Sequence, residues 1–224
     1  RSPRSAEPAN PVDPRSTGVP YYLLLLGDPE EIPFEFQYQL DVQYAVGRLD
    51  FGGDLAAYRH YADNVVAAEA QPVCTSPRAV FLGTANPGDE ATALSEQHLV
   101  RPLFRRFHGR AVESPWQVLR VAPDKATKAN VLHLLSLDPP VSFAFLAGHG
   151  LEFDPGHPRQ TAEQGALLCQ DWDGQIGVVP SGAYVAASDV SETMDLRGMI
   201  LFLFACHGAG TPLCDEYHRR AFQD

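Results

Sequence analysis

Two short motifs concentrate the reactive side chains of this sequence. Gly148-His149-Gly150 closes the apolar run 141–147, and Cys206-His207 closes the apolar run 199–205. An imidazole and a thiol thus arrive at the ends of two segments of the same kind. Cysteine attacks as the thiolate, and with an unperturbed pKa near about 8.5 little of it is ionised at neutral pH. An adjacent imidazole can take that proton and later return it to a leaving group. His149 and Cys206 could form such a pair, with the backbone amides of Gly150 and Cys206 as oxyanion donors. Singly, each has a plainer reading: a strand-end Cys is commonly a small buried hydrophobe, and a His in a Gly-rich loop is commonly structural. Their joint placement argues for chemistry.

The elements that must position this pair follow from the hydrophobic pattern. Run 21–26 is a continuous apolar stretch, the pattern of a strand buried on both faces and a pointer to a parallel sheet; 79–82 reads as a short strand, and 141–147 and 199–205 are almost wholly apolar strands. Segment 117–121 reads as a further strand. Helical spacing is found over 55–69, with Asp54 placed as its N-cap, and helices are expected over 93–107 and 124–135. This alternation predicts an α/β fold of three layers, with a mainly parallel sheet flanked by helices and right-handed crossovers. In such sheets ligands sit beyond the carboxyl ends of the strands, where His149 and Cys206 fall. Between the last two strands lies an excursion, 151–197, with turn signals at Asp154-Pro155-Gly156, Asp173-Gly174 and Pro180-Ser181-Gly182 and an expected hairpin near 166–179.

Composition bounds the function. The 224 residues carry 17 basic and 28 acidic side chains, a net charge of −11, which argues against a nucleic-acid-binding face. With 45% hydrophobic and 20% charged residues the chain can bury a core. No apolar run approaches the roughly 20 residues of a membrane span. Residues 1–20 hold five prolines and read as a tail or linker. Residues 21–75 read as the end of an upstream α/β subdomain with a connecting helix, and 76–224 as the catalytic subdomain. Cys74, Cys169, Cys206 and Cys214 show no pairing pattern and read as free thiols, with a cytoplasmic location favoured over secretion. Cys206, His207, Cys214 and His218 lack the paired knuckles of a zinc site. Asp171, Asp173, Glu192 and Asp195 lack the pattern of a calcium loop. No metal or other cofactor is expected.

The strand-Gly-His-Gly and strand-Ala-Cys pairs resemble the caspase-like superfamily of cysteine peptidases, which includes metacaspases, separases, CHAT-domain proteases and gingipains. The upstream series resembles the gingipain branch: apolar strand, Gly27-Asp28, Ile32-Pro33, Asp41 with Tyr44, Gly47-Arg48, and a helix through Tyr61 and Glu69. Metacaspases are the nearest rival, because their cysteine is also followed by His. The resemblance implies a three-layer caspase-like fold and a cysteine endopeptidase acting on peptide or protein substrates. It assigns His149 as general base and acid, Cys206 as nucleophile and Gly150 as an oxyanion donor. An acidic residue is expected behind the catalytic His, and the closest position holds Asn86. A second acid is expected at the base of a substrate pocket, with Asp89, Glu90 and Glu96 as candidates and a basic side chain as the substrate preference that follows.

His207 is a candidate for lining that pocket. Trp172 either borders the cleft or forms the core of a hairpin. The resemblance also implies strands beyond the one carrying the nucleophile. Only 18 residues follow Cys206, so those strands are expected to be absent or on a separate small subunit, with the polar 216–220 as a processing loop. A regulatory partner domain is a further expectation. The alternative is a catalytically silent caspase-like interaction module of a larger signalling or defence protein.

Overall fold

The computed structural model describes residues 20–70 and 77–208, except 155, 176 and 192. They fall into two compact units that meet in sequence at Asn64 and Val65. In the first, β1 (Tyr22–Leu26) pairs in parallel with β2 (Ala45–Leu49), from Tyr22 opposite Ala45 to Leu26 opposite Leu49, across α1 (Phe34–Asp41). The run 21–26 is not buried on both faces as its composition suggested. Tyr22, Leu24 and Leu26 are exposed and Leu23 and Leu25 half-buried, the alternation of a sheet packed on one side. The Gly-Asp, Ile-Pro and Gly-Arg positions turn out to form one knot. The Arg48 guanidinium donates to the carbonyls of Gly27 (3.0 Å) and Ile32 (2.6 Å) and to Gln37 Oε1 (3.1 Å). The Asp28 carboxylate takes the N–H groups of Glu30 and Glu31. This series closes a loop within the first unit. The helix α2 (Leu55–Ala70) is capped by Asp54, which accepts from the N–H groups of Ala56 and Ala57.

The second unit is built on a four-stranded sheet, all parallel, in the order β4-β3-β5-β8: β3 (Arg78–Gly83), β4 (Gln117–Val121), β5 (Phe143–Ala147) and β8 (Ile200–Phe204). Alternate residues of the inner strands feed opposite cores. Val80, Leu82, Ala144 and Leu146 pack with Val131, Leu134 and Leu135 of α5 (Lys128–Leu135). Ala79, Phe81, Phe145 and Ala147 pack with Leu99, Val100, Leu103 and Phe104 on the other face. The sheet is therefore sandwiched between helices, a mixed α/β arrangement compatible with three layers. Truncating a side chain as buried as Leu82, at 0% exposure, costs about 2–5 kcal/mol by lost transfer and the cavity left behind.

Three boundaries differ from those expected. The helix after β3 starts earlier, as α3 (Glu90–Ser95), because Asp89 caps it by accepting from the Ala91 N–H; it runs through a π-helical turn, Glu96–Val100, into α4 (Arg101–Ala111). Residues Pro123–Lys125 form a separate 3-10 turn, so α5 begins at Lys128, capped by Thr127. In the excursion, a short helix α6 (Gln160–Glu163) precedes β6 (Leu167–Leu168), which pairs antiparallel with β7 (Tyr184–Val185). The second strand thus lies beyond the expected limit at 179. Leu151, Ala166, Leu168, Tyr184 and Ala186 share a small core that holds this pairing.

The run 199–205 becomes β8, one of the two edge strands of the described sheet. Ile200, Leu201, Phe202 and Phe204 remain 65%, 46%, 52% and 49% exposed. Among the described residues no helix is long and apolar enough to cross a membrane.

Candidate active site

The two motifs meet because β5 and β8 are parallel neighbours in register. Ala147 lies opposite Phe204, and His149 and Cys206 each follow two residues later. The Gly148 N–H donates to the Phe204 carbonyl at 3.1 Å, which extends the pairing to the base of both motifs. Gly150 then lies opposite Leu167 in an isolated antiparallel bridge. The flanking bonds run from Leu168 N–H to the His149 carbonyl (2.8 Å) and from Leu151 N–H to the Ala166 carbonyl (2.9 Å). In such a pair the N–H and C=O of Gly150 itself point away from Leu167, so its amide is not consumed by the pairing. A Cβ on Gly150 would overlap the Cys206 carbonyl oxygen, which explains why glycine is needed where the two loops touch. Gly165, with φ +77°, makes the same close approach to the His207 carbonyl.

His149 is gripped by an acid. Its Nε2 lies 2.7 Å from Asp89 Oδ2, and its ring stands edge-on to Trp172 with centroids 5.8 Å apart. With Nε2 engaged, Nδ1 is the nitrogen left for a reacting group. Burial alone would push the Asp89 carboxyl up. Hydrogen bonds from Thr92 and His149, the charge of His149 and the Ala91 N–H outweigh it and hold the group below the usual carboxylate range. Cys206 is exposed, whereas Cys169 is fully buried and its thiol is pushed up to about 12, chiefly by burial. Of these two thiols only Cys206 is open to a substrate. His207 has a left-handed backbone, φ +56°, and its Nε2 is 3.7 Å from Glu152 Oε2.

The acids are distributed differently from the expectation. Asn86 does not stand behind the imidazole: it is buried, and its side-chain amide donates to the carbonyls of Cys169 (2.9 Å) and Trp172 (3.0 Å), tying the excursion to the loop after β3. Asp89, expected in a substrate pocket, is the residue that holds His149. Glu96 is buried and occupied by Arg101 and Arg120, so it is not placed to meet a substrate cation. Glu90 is exposed in the first turn of α3. Trp172 stands edge-on to His149 and also packs against the small core of the excursion.

Thr92 and Gly165 were not legible as site residues. For Asp89 a signal existed, since Gly88-Asp89 followed by helix-forming residues marks an N-cap. Cys74, Cys214, His218 and Glu192 lie outside the described residues. Asp171 accepts from the Lys128 N–H and Asp195 pairs with Arg197; among the described residues no three His, Cys, Asp or Glu side chains converge on a metal position. Compared with models of protein families, with curated proteins and with solved structures, the chain matches none.

Proposed function

We propose that the chain is a cysteine endopeptidase of caspase-like type, with gingipains as the branch it most resembles. The observation that carries this reading is Asp89 on His149 Nε2, with His149 and Cys206 at equivalent positions beyond two paired parallel strands. His149 takes the Cys206 proton on Nδ1, and Asp89 stabilises the resulting imidazolium. The thiolate attacks the carbonyl carbon of the scissile bond, and the oxyanion is met by the N–H of Gly150 and that of Cys206. The imidazolium protonates the departing amine, leaving a thioester on Cys206. Water, deprotonated by His149, then releases the acyl group and regenerates the thiol. Trp172 and His207 flank the peptide.

The deciding experiment compares the unaltered chain with Cys206→Ala on a peptide library and with a peptidyl acyloxymethyl ketone. Cleavage and labelling disappear in the variant; undiminished cleavage overturns the reading. A second reading, an interaction module without catalysis, is favoured by the uncovered apolar faces of β8. It predicts no thiol-dependent cleavage and no Cys206 labelling faster than that of Cys74.

A further inference from the structure

We propose that Thr92 is a positioning residue for the catalytic imidazole, acting through Asp89; this rests on the peptidase reading. The Thr92 hydroxyl is buried, the residue being 2% exposed, so solvent cannot replace its partners. Its oxygen accepts the Asn86 N–H at 3.0 Å. That bond occupies one side of the oxygen and leaves the hydroxyl proton for Asp89 Oδ2, 2.7 Å away. The same Oδ2 meets His149 Nε2 at 2.7 Å, while Oδ1 takes the Ala91 N–H at 3.2 Å. Three donors thus fix a short carboxylate in one rotamer. Without the hydroxyl, the oxygen that must face the imidazole is held only by the imidazole itself.

The anchor extends backwards into the excursion. The Asn86 amide that donates to Thr92 belongs to a residue whose side chain holds the carbonyls of Cys169 and Trp172. Next to it, the Gln170 side chain both donates to and accepts from the Ala85 backbone, at 2.8 Å each way. The geometry that sets Thr92 also sets Trp172 against His149. The charged and titratable groups around Asp89 are few. His149 comes from the loop after β5, with Cys206 and the His207 to Glu152 pair beside that loop, and Glu90 lies on its own helix. From the excursion, Asp171 is turned to the Lys128 N–H and Asp173 to the Gln175 N–H.

The test compares Thr92→Ser and Thr92→Ala, which both lose the methyl group and differ only in the hydroxyl. Activity is read on a cleavable peptide, and the imidazole by nitrogen NMR of His149 in the Cys206→Ala background, where no turnover occurs. The serine variant retains kcat and a slowly exchanging Nε2–H resonance. The alanine variant loses about ten- to a hundredfold in kcat at little changed KM, the size expected of one hydrogen bond to a charged group. Its Nε2–H resonance broadens or shifts upfield, and its Asp89 titrates at higher pH. Should Thr92→Ala fail to fold, the Thr92 hydroxyl proton of the Cys206→Ala chain is measured instead, and slow exchange with solvent is expected. An alanine variant with full kcat and an unchanged resonance, or a fast-exchanging hydroxyl, overturns the role of Thr92. Absence of thiol-dependent cleavage in the unaltered chain overturns the peptidase reading alone, because the NMR comparison needs no turnover.

Discussion

At the scale of single residues, the site depends on a carboxylate that does not react. In the proposed mechanism Asp89 fixes which imidazole nitrogen carries the proton toward it and stabilises the cation that forms when Cys206 ionises. Asp89→Asn keeps the shape and removes the charge. The loss of kcat/KM on a peptide substrate is expected to be on the order of 10² to 10⁴, by analogy with a carboxylate-to-amide change behind a catalytic histidine. A variant within threefold of the unaltered chain would show that Asp89 is only a helix cap. Asn86 makes the same point from the other side. An amide stands where a carboxylate was expected, and it serves by holding two carbonyls of the excursion. Sequence spacing could place an acid within a residue or two of the right position, but only the N-cap geometry of α3 decides which of Asn86 and Asp89 turns toward His149.

At the scale of elements, two parallel strands in register hold the two reactive groups level, and two glycines let the loops beyond them touch. Gly165→Ala would place a Cβ against the His207 carbonyl at a left-handed φ of +77°. The backbone penalty alone is about 1–2 kcal/mol. The larger expected effect is displacement of the turn that carries Cys206, read as a loss of acylation rate well beyond the modest fall in melting temperature. Equal losses of rate and stability would contradict a positional role. The inner strands β3 and β5 were legible because their apolar runs are continuous and buried on both faces, and they lie close to the expected bounds; the edge strand β4 has the expected bounds. The second strand of the hairpin and the exposure of β1 were not legible. Pairing of β6 with β7 depends on a small core gathered from Leu151 to Ala186, a long-range arrangement that local turn signals do not encode. The exposure of β1 depends on how many strands share its sheet, which its own five residues do not specify.

At the scale of the whole molecule, acid should act through a few held carboxylates. Burial pushes Asp189 up, but hydrogen bonds from Lys128 and the Ala186 N–H and the charge of Lys128 bring it below its ordinary value; Asp89 is also held low. A lowered folded-state pKa means stabilisation that is complete above the unfolded-state value, near about 4, and lost as pH falls through the folded value. The melting temperature is therefore expected to be flat above about pH 5 and to drop below pH 4. Asp189→Asn should be less stable at neutral pH and show a shallower drop. An identical pH profile for the two proteins would remove Asp189 from the acid response.

One consequence of the strand order concerns time rather than geometry. Asp89 follows β3 and His149 follows β5, each with a neighbour on both sides, whereas Cys206 follows β8, bonded to β5 alone among the described strands. The Ile200 N–H bonds the Ser142 carbonyl, so in a parallel ladder the amides of Leu201 and Leu203 face the open side. Hydrogen exchange at Leu201 and Leu203 should be complete while the β3 amides are still protected. Slow exchange at both would mean that the edge is occupied. On the proposed reading, the base and its carboxylate follow strands bonded on both sides, whereas the nucleophile follows a strand whose loosening would remove the thiol from the site while leaving the other two in place.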